Sequence, residues 1–326
     1  MKITLAHGSG GKSTSELIDA VFAKEFKNPV LDQMEDSAVI PGSAKIAMTT
    51  DSFVVNPILF AGGDIGRLSV CGTVNDLLMR GAVPKYLTCG FIIEEGAEME
   101  TLQRIARSMA ETAREAGVVI VAGDTKVIEG DGDIFINTTG IGFVEESVDI
   151  KSANCTPGDA VLLSGNLGDH HAAILSHRME IENGIVSDCA PLGEMVSKLL
   201  SGGIEVHAMR DVTRGGLGTV LNELADSSGC KFVLSEEKIP MDEQVRAFCK
   251  ILGLDPMHMG NEGKLVAVVP KAQAEKALAL IQSSRYGENA AVIGEVTEGS
   301  GVTMETRLGG KRKINVLFGE GLPRIC

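Results

Sequence analysis

The sequence predicts an α/β fold, of α+β character, in two domains followed by a short C-terminal tail. Three observations carry that expectation. Strand-like and helix-like patterns alternate along most of the 326 residues. Hydrophobic residues make up 44% of the chain and aromatics only 4%, while 39 glycines supply many tight turns. Near residues 145–158 the pattern pauses, and Pro157-Gly158-Asp159 signals a turn. A chain of this length buries a substantial core in one large or two medium domains. The expected division is 1–150, 151–317 and 318–326.

In the first domain, residues 45–55 (KIAMTTDSFVV) read as a strand and 64–81 as a helix. That helix carries Gly66, Ser69, Gly72 and Thr73 on neighbouring turns, so another backbone can approach it closely. Residues 83–95 are strand-like. Residues 98–116 form a strongly periodic helix, with Met99, Leu102, Ala106, Met109 and Ala113 on one face and Gly117 as its stop. Two further strands follow at 118–128 and 135–144. The second domain repeats the alternation. Strands are expected at 160–164, 205–210, 231–235, 264–269 and 290–296, with helices near 169–179, 191–201, 216–228, 241–252 and 272–283. A Gly309-Gly310 hairpin precedes the tail.

Composition excludes several classes of function. A net charge of −14 repels a phosphate backbone, so nucleic acid is not an expected partner. No apolar run reaches the 18 residues that a membrane span needs, and the first five residues are too few for a secretory apolar segment. Seven scattered cysteines without a CxxC pair argue against a disulfide framework and against a zinc or iron–sulfur site. A reducing, cytoplasmic setting is the expectation. Six of the seven sit in or beside apolar stretches, where a thiol behaves as a small hydrophobe. Cys326, the last residue, does not.

The segment AHGSGGKS (6–13) resembles a phosphate loop, but that pattern needs glycine where Ala6 stands. A Gly-rich lid through Gly10 and Gly11 that touches phosphates is the alternative to a merely mobile N-terminus. The aspartates are more informative. Three apolar strands end in Asp51, Asp124 and Asp211, Asp76 follows Asn75 on the small-residue helix, and Asp36 opens a short apolar segment. One aspartate at a strand end is usually a turn or helix cap. Several suggest a ligand site at the carboxyl ends of strands. Carboxylates gathered beside a triphosphate need divalent cations, and hard oxygen donors point to Mg²⁺. The implied chemistry is phosphoryl transfer assisted by carboxylate-bound metal.

Taken together, HGSGG (7–11), TTDSFVVNP (49–57), GGDIGRLSVCGTVNDLLMRGA (62–82), GFIIEEG (90–96), AGDTK (122–126), FINTTGIG (135–142), SGNLGDH (164–170), MRDVTRGG (209–216), NEGKLV (261–266) and LPRIC (322–326) resemble the HypE family of hydrogenase maturation factors. That family lies in the ATP-binding superfamily of aminoimidazole ribonucleotide synthetase and selenophosphate synthetase. The resemblance runs from His7 to Cys326, and LPRIC is its family-specific part. It implies a PurM-like two-domain fold, with an N-terminal domain whose strands form a barrel across a homodimer. It implies ATP and Mg²⁺ as cofactors, with Asp36, Asp51, Asp76 and Asp124 as metal and phosphate carboxylates and Asp211 as a further candidate. Gly10, Gly11, Asn75 and Thr125 join the nucleotide set. Two departures stand out: His171 follows His170 where the family more often has glycine, and Gly260 stands before NEG where alanine is more usual.

The resemblance also implies a reaction. A carbamoyltransferase, HypF, loads a carbamoyl group onto Cys326, and ATP drives its dehydration to a thiocyanate. The cyano group then passes to iron on a HypC–HypD scaffold, for a nickel–iron hydrogenase. Phosphorylating the carbonyl oxygen turns it into a good leaving group. Lys126 is placed to stabilise charge on the transferring group, and Glu262 or His170 to accept the nitrogen protons. A thiol on a terminal arm, with Pro323 as a stiff joint, can visit two sites. Two rivals remain: another synthetase or kinase of the superfamily, which should not need Cys326, and a non-catalytic delivery chaperone, which should not turn over ATP.

Overall fold

The computed structural model describes residues 2–7, 12–33 and 37–316. Gly10, Gly11, Asp36 and Cys326 lie outside the described residues. Residues Leu5–His7 form a 3-10 turn. Helix α1 (Lys12–Leu17) continues as a π-helical stretch, Ile18–Ala23, whose Val21 and Phe22 enter the core.

The N-terminal sheet is built from β1 (Ile46–Phe53), β4 (Val83–Glu94), β5 (Val119–Ile128) and β6 (Ile134–Phe143), and a separate ribbon of β2 (Leu59–Phe60) and β3 (Gly63–Asp64) lies between β1 and β4 in the chain. Its order is β1-β6-β4-β5, so β1 and β5 are its two edges. Helices α2 (Ile65–Met79) and α3 (Met99–Ala116) cover one face. On the other face Ile46, Met48, Ile92 and Ile128 stand exposed.

The two helices illustrate two kinds of sequence signal. α3 buries the stripe from Met99 through Leu102, Ile105 and Met109 to Ala113, and ends at Gly117 with φ 69°. Only the flexibility of glycine makes that left-handed stop cheap. α2 is buried nearly all round and begins at Asp64, whose carboxylate caps the Arg67 N–H at 2.9 Å. A Cβ at Gly66 would lie 2.4 Å from the Ile105 carbonyl oxygen, so α2 and α3 touch backbone to backbone. Thr73 and Thr138 hydroxyls meet at 2.5 Å beneath the sheet.

The C-terminal domain holds a seven-stranded sheet in the order β13-β12-β9-β11-β7-β10-β8. In chain order its elements are β7 (Asp159–Leu163), α4 (Asp169–Arg178), α5 (Gly193–Ser201), β8 (Ala208–Asp211), α6 (Gly216–Ser228), β9 (Lys231–Ser235), α7 (Glu243–Leu252), β10 (Leu265–Pro270), α8 (Ala274–Gln282), β11 (Ala291–Thr297), β12 (Gly301–Glu305) and β13 (Lys311–Ile314). Only the β12–β9 pair in it is parallel. The Gly309-Gly310 hairpin joins β12 to β13.

One hydrophobic core runs through both domains, from Ile65 and Leu68 on α2 to Met195, Leu199 and Ile281 beside the second sheet. Polar links reinforce the seam. Arg67 donates to the Cys189 carbonyl at 2.8 Å and to Glu115 at 2.9 Å, and the Tyr286 hydroxyl donates to Glu115 at 2.5 Å. Among the described residues no helix is long and apolar enough to cross a membrane.

A carboxylate cluster at the domain seam

Asp51 lies near the end of β1, Asp76 on α2, Asp211 at the end of β8 and Glu262 in the turn before β10. Strand order and the packing of α2 against β8 bring these four into electrostatic contact, although up to 211 residues separate them in sequence. Asp51 and Asp76 hydrogen-bond to each other, and the Thr49 hydroxyl donates to Asp76 at 2.8 Å. Burial, then the Asp76 charge and their shared hydrogen bond, push the Asp51 carboxyl up to about 6, against the pull of Arg214. Burial and then Asp76 push Asp211 up to about 7, with Asp51 adding less. Glu262 is held well above the ordinary carboxylate range, first by burial and then by Asp211, Asp188, Cys71 and Asp51.

Carboxylates that hold one another's protons against the solvent are a site short of positive charge. Hard oxygen donors of this kind fit a divalent cation. No three His, Cys, Asp or Glu side chains among the described residues already converge on a metal position, so the fit is one of charge and donor type.

This charge surplus has a measurable consequence. Both folded-state values lie above the unfolded carboxylate value of about 3.9, so the folded protein keeps these protons longer. Their contribution to stability is complete below about pH 4. It is lost as pH rises through about 6 for Asp51 and about 7 for Asp211. The melting temperature of the ligand-free protein should carry this decline, and Asp211→Asn should flatten it. A decline that the substitution leaves untouched would count against the repulsion.

The remaining predicted residues fall elsewhere. Asp124 and Lys126 form an ion pair at 2.9 Å on β5, the opposite edge of the sheet from Asp51, with side chains 68% and 63% exposed. They are not part of the seam cluster within one chain. Beside them, Thr125 and Phe91 open onto a cavity of about 390 Å³ walled by Ile18, Phe22 and Phe26. The Phe22 and Phe91 rings lie 4.6 Å apart.

Asn75 is buried, and its amide is committed across the seam: it donates to the Ala190 carbonyl and accepts from the Leu192 N–H, both at 3.0 Å. That makes it a clamp between the domains. His170 is fully buried, its Nδ1 2.7 Å from the Ser187 hydroxyl and its ring edge-on to Phe60. It stands behind the segment 187–192 and touches that segment. His171 packs beside Gly260, and burial pushes it down to about 4, so it stays neutral. Sequence reasoning missed Asp188, a buried carboxylate in that segment. Its signal, SDCAP in a loop, has no periodicity to distinguish it.

Two family models match the chain: AIR synthase related protein, N-terminal domain, over residues 34–144, and its C-terminal domain over residues 156–307. The carbamoyl dehydratase HypE of Cupriavidus necator is 48% identical, over 100% of this chain and 95% of its own length. A solved structure of hydrogenase maturation protein HypE in complex with ATP superposes with a TM-score of 0.95 at 46% identity, covering 99% of each chain. The chain in a solved HypE–HypF complex superposes at 0.82 with 48% identity, covering 92% of this chain and 99% of that one. With an AIR synthase fold in both halves and this identity from end to end, the chain belongs to the HypE family of carbamoyl dehydratases.

Proposed function

We propose that this chain dehydrates an S-carbamoyl group on its own Cys326 to a thiocyanate, using ATP, and so supplies cyanide ligands for nickel–iron hydrogenase. The observation that carries the reading is the buried carboxylate cluster at the seam, in a chain that aligns from end to end with carbamoyl dehydratases.

The carbamoyl oxygen attacks the γ-phosphorus, ADP leaves, and the oxygen is now part of a phosphate ester. Two protons leave nitrogen as the C–O bond breaks, giving S–C≡N and inorganic phosphate. Asp51 and Asp76, with Asp36 and Asp124, would hold Mg²⁺, which when bound neutralises the triphosphate. Glu262, in its ionised form a stronger base than an ordinary carboxylate because of burial and its acidic neighbours, would accept a nitrogen proton. The aromatic cavity beside Thr125 is of the apolar kind that takes a purine ring.

A homodimer resolves the separation of Asp124 from Asp51. Two copies of a sheet ordered β1-β6-β4-β5 close into a barrel by setting β5 of one beside β1 of the other. That covers Ile46, Met48, Ile92 and Ile128 and carries Asp124 and Lys126 toward the carboxylates of the partner subunit. HypF as the loading enzyme, a HypC–HypD scaffold as the acceptor and a reducing cytoplasm complete the reading. The solved HypE–HypF complex supports the first.

Intact mass tests the reading. After incubation with carbamoyltransferase and carbamoyl phosphate, the chain should gain a carbamoyl group, then lose one water only when MgATP is added. No water loss would favour a delivery chaperone. Asp51→Asn and Asp76→Asn should each weaken MgATP binding sharply, because each removes a hard ligand from a charge-balanced site. Calorimetric titrations unchanged in both variants would refute the metal assignment.

A further inference from the structure

The buried carboxylate that sequence reasoning missed lies at the junction of two segments. Asp188 Oδ1 accepts the Glu262 N–H at 3.1 Å. Its Oδ2 accepts the Asn261 amide at 3.0 Å and the Lys264 ammonium at 3.1 Å. The side chains of Asp188 and Lys264 are 3% and 9% exposed. The Asp188 carbonyl also lies so close to Gly263 that a Cβ there would approach it to 1.9 Å. The next turn of the same segment adds a bond, from the Ala190 N–H to the Glu262 carbonyl at 3.3 Å.

The opposite side of residues 261–264 is also tied. Asn261 N–H donates to the Val212 carbonyl at 2.8 Å, and Val212 N–H donates to the Lys264 carbonyl at 2.9 Å. The Asn261 side chain accepts the Gly168 N–H at 3.1 Å. Segment 187–192 is itself anchored to the N-terminal domain by Arg67, by Asn75 and by the Ser187 N–H, which donates to the Ala61 carbonyl at 2.8 Å. A single carboxylate therefore links the N-terminal domain, the turn that carries Glu262 and a buried cation.

We propose that Asp188 is a positioning residue: it fixes the backbone of Glu262 at the domain seam and so sets the geometry of proton acceptance. The proposal rests on the reading of Glu262 as the proton acceptor. Burial alone would push the Asp188 carboxyl up, but Lys264 and the Glu262 N–H hold it below the ordinary range, so it stays ionised as a clamp must. The bonds of the Asp188 carboxylate go to Asn261, the Glu262 backbone and Lys264, so it acts on the reaction through Glu262.

The experiment is single-turnover dehydration of protein already carbamoylated on Cys326, followed by intact mass. Asp188→Asn keeps the shape and removes the charge. It should slow dehydration about 10²-fold, the usual effect of displacing a catalytic group by about 1 Å. Carbamoyl loading and the Kd for MgATP should stay at native values. If an unpaired Lys264 prevents that variant from folding, Asp188→Asn/Lys264→Met removes both buried charges together and should show the same slowing. Glu262→Gln is the control. Native-rate dehydration in Glu262→Gln would sink the reading of Glu262 and this proposal with it. A slow Glu262→Gln beside folded Asp188 variants at the native rate would overturn the positioning role alone. Parallel loss of loading, MgATP binding and dehydration in the Asp188 variants would overturn it too, as general structural damage.

Discussion

Cys326→Ala should fold, bind MgATP and acquire neither a carbamoyl nor a cyano adduct. The loss should be complete, because no other thiol in the chain can take its place. The other six cysteines are all buried. The thiolate is the nucleophile, and burial in apolar surroundings suppresses it. Burial pushes Cys89 and Cys155 up to about 12 and Cys249 up to about 11. Cys189 is also raised well above the usual value, first by its hydrogen bond with Cys71 and then by burial. Cys326, at the end of LPRIC, lies outside the described residues, so its role rests on sequence and family. Peptide mapping after incubation with the carbamoyltransferase decides the matter. An adduct on any of the six buried cysteines would remove Cys326 from the mechanism.

Lys126→Ala and Glu262→Ala should accept the carbamoyl group at the native rate but fail to dehydrate it. Loading takes place on the partner enzyme, whereas both residues are proposed to act once the thiol has entered the ATP site. Losing a transition-state donor or a proton acceptor costs about 10²–10⁴-fold, so the carbamoyl adduct should accumulate and become visible by mass. Lys126 is available for this role. Its ion pair with Asp124 is largely exposed, and such pairs contribute only about 0–1 kcal/mol. Exchanging that partner for a phosphate therefore costs little. Glu262 differs in being buried, where Asp211, Asp188 and Asp51 act on its charge. If both variants convert the adduct at the native rate, the proton acceptor must lie elsewhere. His170 is then the next to substitute, although its Nδ1 is already engaged with Ser187.

Most of the elements, and the residue types at the site, were legible from local pattern alone. Helix α3 was legible because its apolar residues repeat at the helical period and Gly117 supplies the left-handed stop. The small residues of α2 announced a close approach, since only a helix packed against backbone needs Gly66. The aspartates at strand ends were legible as candidate ligands for the same local reason: a strand end is read from a few adjacent residues.

Which of them meet was decided by the tertiary structure. Asp51, Asp76, Asp211 and Glu262 come together through strand order and the docking of one domain on the other, which no short-range pattern encodes. The same order sends Asp124 and Lys126 to the far edge of the sheet. Asn75 stands next to Asp76 in sequence, yet one side chain clamps the second domain while the other joins the carboxylates. Asp188 shows the limit most clearly. Its residue type and loop context suggest an exposed turn, and only burial against Lys264 and the Glu262 backbone gives it a role. Periodicity is a property of neighbours in the chain, whereas a site is a property of neighbours in space.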